Sequence, residues 1–154
     1  EQSAFNRVQV EQSVASLAPF SAGGLVPRQE ILATFSKAMD NALKAQDTPE
    51  DAGWWQQTKN SLASLVQIRR TDMVEGGDRD AVLNRAEAAI KLGDIETALE
   101  ELAALSSGPA AAFEGWIGDA SNHITAMRAS EALLTYAMNQ TTGAGSSIGE
   151  RPNP

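Results

Sequence analysis

The chain has 154 residues, with 12 Lys and Arg against 20 Asp and Glu, a formal net charge of -8 and no cysteine. An apolar share of 42% is enough for one folded domain, while the missing Cys and the single His exclude disulfide scaffolds, thiolate metal centres and cysteine nucleophiles. The acidic balance speaks against nucleic acid as a partner, because phosphate binding runs on clustered Lys and Arg. No apolar run approaches the ~20 residues of a membrane-spanning helix. The chain opens at Glu1 without the charged and apolar leader of a secretory signal, so it is read as a mature or excised part.

The periodicity is helical almost throughout, with no convincing alternation of the strand type. A first helix is expected from about Ala4 to Leu17, weakly apolar and rich in Gln and Ser, with Pro19 and Gly23-Gly24 ending it. A second starts at Pro27, which suits the first helical position. There Ile31, Phe35, Met39 and Leu43 recur every four residues with Leu32 beside them, opposite Arg28, Lys37, Asp40 and Lys44. That is an amphipathic helix of about 19 residues, ~28 Å long.

Thr48-Pro49-Glu50-Asp51 is a start signal for a third helix, which runs through Trp54, Trp55, Leu62 and Leu65 to Ile68 and fades after Arg69-Arg70. Adjacent indoles point about 100° apart on a helix, so Trp54 and Trp55 cannot both face one core centre. Either one meets a partner surface, or both are partly buried where two helices join. Asp78 caps a fourth helix, Gly93 closes it and Asp94 opens a fifth, which makes a tight helical hairpin. Small Ala86, Ala89 and Ala98 would let its arms approach closely. Gly108-Pro109 repeats the stop-and-start logic, and a last helix is expected from Ala110 to about Asn139, with a kink or break near Gly115 and Gly118. Thr141 to Pro154 reads as a flexible tail. The expectation is an all-α bundle of about five to six helices around a central hairpin. Its domain spans residues 1–140, and residues 1–24 can also be read as the end of a preceding helical segment.

No catalytic constellation stands out. His123 has no nucleophile or orienting group in a recognisable motif. The Glu96, Glu100 and Glu101 stretch reads as a solvated face, and Asp72 to Asp80 lacks the ligand alternation of a calcium loop. The reading is a non-enzyme with no catalytic residue, metal or cofactor. Arg69 and Arg70 suit the negative end of their helix, or else a carboxylate or phosphate partner.

The order Trp54-Trp55, Leu62-Ala63-Ser64-Leu65-Val66-Gln67-Ile68-Arg69-Arg70, Leu83-Asn84-Arg85-Ala86-Glu87, Leu92-Gly93-Asp94 with Ala98 and Glu101-Leu102, then Trp116, resembles one family. So do Leu17-Ala18-Pro19-Phe20, Gly24-Leu25-Val26-Pro27 and Phe35 upstream. It is similar to the C-terminal mitofilin domain of α-proteobacterial mitofilin (Mic60) proteins, over roughly residues 5 to 138. The resemblance implies a part of an inner-membrane protein, anchored by an N-terminal span absent from this chain and facing the periplasm. It implies a membrane-organising scaffold that self-associates as a homo-oligomer and contacts outer-membrane barrel-assembly machinery.

The resemblance also suggests that the Arg28, Ile31, Leu32, Phe35, Met39 and Leu43 helix touches membrane lipid or a partner. The other reading of that stripe is packing on the Trp54-Trp55 helix or on a second subunit. Trp54, Trp55, Arg69 and Arg70 are the expected self-association or partner contacts. Alternatives are a periplasmic helical adaptor with a peptide groove built by the Leu83–Leu105 hairpin, and a tetrapyrrole-pathway accessory of the HemX type, which shares a Trp-rich helix ending in Ile-Arg-Arg. Charge is uneven as well: residues 61–105 hold nine acids against five bases, while the second helix, counted from Pro27 through Lys44, is slightly basic, with three cations against Glu30 and Asp40.

Overall fold

Seven α-helices and one 3-10 turn make up the described part of a computed structural model, which covers residues 2–45, 52–65 and 78–145. They are α1 (Gln2–Leu17), followed by the 3-10 turn Ala18–Phe20, α2 (Arg28–Lys44), α3 (Ala52–Leu65), α4 (Arg79–Lys91), α5 (Ile95–Leu102), α6 (Ser107–Ala111) and α7 (Glu114–Gly145). No strand occurs among the described residues. The all-α class is therefore as expected, with one helix more than the sequence suggested. The chain divides into two compact units, Leu25–Ile124 and a second formed by Glu1–Gly24 with Thr125–Pro154.

Local chemistry sets most of the boundaries in the larger unit. Pro27 is the N-cap of α2, with φ -62° and ψ 147°, one position earlier than expected. Its carbonyl already accepts from the amides of Glu30 and Ile31, so the first helical residue is Arg28. The Asp78 carboxylate accepts from the Asp80 amide, and the Asp94 carboxylate accepts from the Thr97 amide at 3.0 Å. Each satisfies an orphan donor at a helix start. Between them Gly93 adopts φ +76°, its amide donates to Ile90 O, and the Asp94 amide donates to Ala89 O. That pair of bonds is a Schellman ending, which calls for the left-handed conformation glycine takes at no steric cost.

The hairpin expected from Leu92-Gly93-Asp94 forms as α4 and α5. Its facing residues Ala86, Ala89 and Ala98 are buried, and Arg85 Nε reaches Glu101 Oε2 at 2.7 Å. Arginine–carbonyl bonds then fix α2 against α4 at both ends. Arg28 Nη2 donates to Gly93 O at 2.6 Å, and Arg79 Nη1 donates to Ala45 O at 2.9 Å. The start of α2 thus meets the end of α4 and the end of α2 meets its start, so the two helices run antiparallel.

The expected last helix is two helices. A turn at Ala112–Phe113 separates α6 from α7, upstream of the Gly115 and Gly118 positions where a break was sought. Alanines alone would carry the helix through. The turn instead sends Phe113, which is fully buried, onto the ring of Phe35 at 5.3 Å between centroids. Tertiary packing overrides local propensity here. The core of this unit joins Ile31 and Phe35 of α2, Trp55 and Leu62 of α3, Leu83 of α4, Leu99 and Leu102 of α5, and Phe113, Trp116 and Ile117.

In the smaller unit Ser13, Ala126 and Ala129 are buried, whereas Val8, Val14, Met127, Leu134 and Met138 are exposed. Val8 and Val14 of α1 thus form no buried stripe, in keeping with a weakly apolar first helix. Helix α7 continues to Gly145, past the expected end near Asn139. The Thr141 and Thr142 hydroxyls both donate to Met138 O, a local bonding that suits a helical backbone. Residues 146–154, the rest of the expected tail, lie outside the described residues. So do the Thr48-Pro49 start signal and residues 66–68 of the expected third helix.

Candidate functional site

Helix α2 carries six of the expected contact residues, and they separate by depth. Ile31 and Phe35 are fully buried, and Leu32 and Met39 are partly buried against the core. Leu43 is 40% exposed, and Arg28 is exposed with its guanidinium on Gly93 O. Phe35 lies in T-shaped contact with Trp116 at 5.1 Å, and Trp116 Nε1 donates to Ile31 O at 2.8 Å. Ile31 and Phe35, read as lipid or partner contacts, are therefore core residues. The helix packs chiefly on α4 and α6, and it shares its core with Trp55 and Leu62 of α3; the sequence offers the Trp54-Trp55 helix or a second subunit as its cover. A four-residue repeat says that a face is covered but not by what.

The tryptophan pair divides as the 100° rule requires. Trp55 is buried, and its Nε1 donates to Leu105 O at 2.8 Å, which ties α3 to the segment after α5. Trp54 is half-buried, its ring 5.5 Å from that of Trp55 at a tilt of 50°. Arg69 and Arg70 lie outside the described residues.

Beside Trp54 the larger unit has a groove of about 400 Å³. Trp54, Gln57, Thr58, Ser61 and Leu62 line it from α3, and Glu114, Ile117, Gly118 and Ser121 line it from α7. Its deep residues are the buried Leu62 and Ile117. Glu114 is the one charged residue among those nine. Sequence reading marked Trp54 but missed the α7 wall. The available signal was Gly118, a glycine inside a helical pattern, which was taken only as a weakness of the helix start.

No group of three or more His, Cys, Asp and Glu residues fit to hold a metal ion occurs among the described residues. His123 Nε2 is buried without a hydrogen-bond partner, and Arg85 engages Glu101. No described helix is long and apolar enough to cross a membrane.

The sequence model of the mitofilin family, described as a mitochondrial inner membrane protein, matches residues 14–138. The chain belongs to the mitofilin family. This mitofilin chain is 27% identical over 132 residues to the MICOS complex subunit mic60 of Penicillium rubens, covering 85% of this chain and 20% of that protein. It is 26% identical over 132 residues to the MICOS complex subunit mic60 of Aspergillus clavatus, covering 85% and 21%. The corresponding subunit of Fusarium vanettenii is 23% identical over 133 residues, covering 86% and 21%. The chain thus spans about a fifth of the length of the curated relatives it matches. No solved structure matches it. The mitofilin match contains the Trp54-Trp55 pair, the α4–α5 hairpin and Trp116, the residues on which the resemblance rested.

Proposed function

We propose that this chain is a non-enzymatic contact domain of a membrane-organising scaffold at the inner membrane. The observation that carries this reading is the mitofilin match across residues 14–138, to relatives named as subunits of the MICOS complex. In this reading the domain works by helix–helix contact, with itself and with other proteins, an outer-membrane barrel-assembly protein among them. It faces the periplasmic or intermembrane side, held there by an anchor elsewhere in the full protein.

Two physical features support a contact role. Five of the large exposed apolar side chains, Val8, Val14, Met127, Leu134 and Met138, belong to the smaller unit. Apolar side chains left in solvent gain free energy when a partner covers them, about 25 cal/mol per Å². The larger unit offers Leu43, Arg28 and Trp54 at its surface while keeping its core closed. In this reading a lipid contact through α2 uses Leu43 and the polar side of the helix rather than the buried Ile31 and Phe35.

Multi-angle light scattering over a hundredfold range of concentration tests the reading. A mass that rises from one chain towards two or more is expected, and Leu134→Glu with Met138→Glu should lower it. A constant mass of one chain, together with no flotation on cardiolipin-containing vesicles, would overturn the scaffold reading in favour of a monomeric adaptor.

A further inference from the structure

The groove between α3 and α7 has a wall whose composition the fold does not require. Gly118 lies inside α7 and lines the groove, yet a Cβ built there would meet nothing within 4 Å. Its backbone is ordinary helix, so neither a positive φ nor internal crowding calls for glycine. Glycine is the poorest helix former after proline. What glycine does supply is room for close approach from outside. The opposite wall includes Trp54, whose ring lies 5.5 Å from that of Trp55. The floor is apolar, Leu62 and Ile117, and the charged residue on the rim is Glu114. Among the described residues that line the groove there is no Lys or Arg, and the whole chain is strongly acidic. An indole and a carboxylate lining one groove, with no cation among its described residues, is the chemistry that recognises a cationic side chain carried on an apolar stem.

We propose that this groove binds a short segment of a partner protein, seating an Arg or Lys of that segment between Trp54 and Glu114, with the segment's backbone lying over Gly118. The proposal rests on the contact-domain reading and gives it a site and a ligand chemistry. A volume of about 400 Å³ suits one long side chain and its flanking residues, not a folded domain. Apolar residues next to the cation would cover Leu62 and Ile117. The on-rate would fall with added salt, because the chain's surplus of negative charge steers the cation in.

The test is a titration of the 15N-labelled chain with a capped heptapeptide, acetyl-Ala-Ala-Leu-Arg-Ala-Leu-Ala-amide, followed by the three indole N–H signals. Trp54→Phe identifies the Trp54 signal. A saturable shift confined to Trp54 is expected, with the Trp55 and Trp116 signals unmoved because their N–H groups are buried and bonded. The same peptide with Glu in place of Arg should give no shift. Gly118→Leu should weaken binding at least tenfold while its melting temperature stays equal or rises, which shows that the fold is intact. Glu114 also meets the positive end of α7. The charge-reversed peptide, not a Glu114 variant, therefore carries the test of charge.

Four results overturn the proposal: no Trp54 shift at millimolar Arg peptide, equal shifts by both peptides, undiminished binding by Gly118→Leu, or a Trp54 shift by phosphocholine in the absence of one by the Arg peptide. The last would mark a lipid headgroup site. None of them alters the light-scattering result, so failure of this site and failure of the contact-domain reading are told apart.

Discussion

Replacing Phe35 by Ala tests whether the apolar stripe of α2 belongs to the core in solution. The ring is fully buried and touches two others, Phe113 at 5.3 Å and Trp116 at 5.1 Å. Deleting a buried phenyl ring costs about 3–5 kcal/mol, through lost transfer energy and the cavity left behind. Loss of both aromatic contacts places this site in the upper part of that range, about 4 kcal/mol. Domains are stable by about 5–15 kcal/mol, so the variant should fold but be severely weakened. At about 2–4 °C per kcal/mol for a chain of this size, the melting temperature should fall by about 8–16 °C. Urea unfolding followed by tryptophan emission and by circular dichroism measures both. A loss below about 1 kcal/mol would refute the argument, since that is the cost expected of an exposed phenylalanine. The same reasoning disqualifies Phe35→Asp as a probe of lipid binding. It would bury an unpaired carboxylate and unfold the domain, so any lost affinity for vesicles would have a trivial cause. Leu43→Asp, at a position 40% exposed, leaves the core alone and is the informative variant.

Gly93→Ala should lower stability by about 1–2 kcal/mol in thermal unfolding, because a residue with a Cβ is strained at φ +76° and that Cβ would lie 2.5 Å from Arg28 Nη2. Gly93→Asn should cost less, and equal losses would show that backbone conformation is not the cause. Asp94→Ala should cost about 1 kcal/mol by removing the cap on the Thr97 amide, with Asp94→Asn nearly neutral. A double-mutant cycle on Arg85 and Glu101 should return a coupling of no more than about 1 kcal/mol that shrinks in 1 M salt, since the Arg85 side chain is 54% exposed. Gly115→Ala should raise stability by about 0.5–1 kcal/mol, because its added methyl meets nothing within 4 Å; a decrease in chemical denaturation would show that the position is covered in solution.

Features that depend on a few neighbouring residues were readable in advance. The Asp78 and Asp94 caps, the Gly93 ending and the hairpin between α4 and α5 all follow from side chains within five positions of the backbone they serve. The division of Trp54 from Trp55 followed from helix geometry alone. What escaped the sequence depends on distant partners. The turn at Ala112–Phe113 sits in an alanine-rich stretch of good helical propensity, and it exists because Phe113 packs beneath Phe35. That α4 and α6 are the main neighbours of α2 escaped for the same reason. The groove was half legible: Trp54 was marked, but its other wall comes from residues 60 positions away, and the glycine that opens it looks in sequence like a defect.

The two indole bonds to backbone carbonyls also bear on the order in which the chain folds. The Trp55 bond closes over 50 residues and the Trp116 bond over 85, whereas the Arg85–Glu101 clasp of the hairpin closes over 16. Loop-closure entropy rises as (3/2)RT ln n, so the longest of these closures costs about 1.5 kcal/mol more than the hairpin. The α4–α5 pair is thus the cheapest nucleus, and α2 and α7 are locked on afterwards. Refolding read by tryptophan emission should lag refolding read by helical circular dichroism, and coincident traces would argue for one concerted step. On this account Trp55 and Trp116 are seals as well as core residues, and their hydrogen bonds are among the last to form.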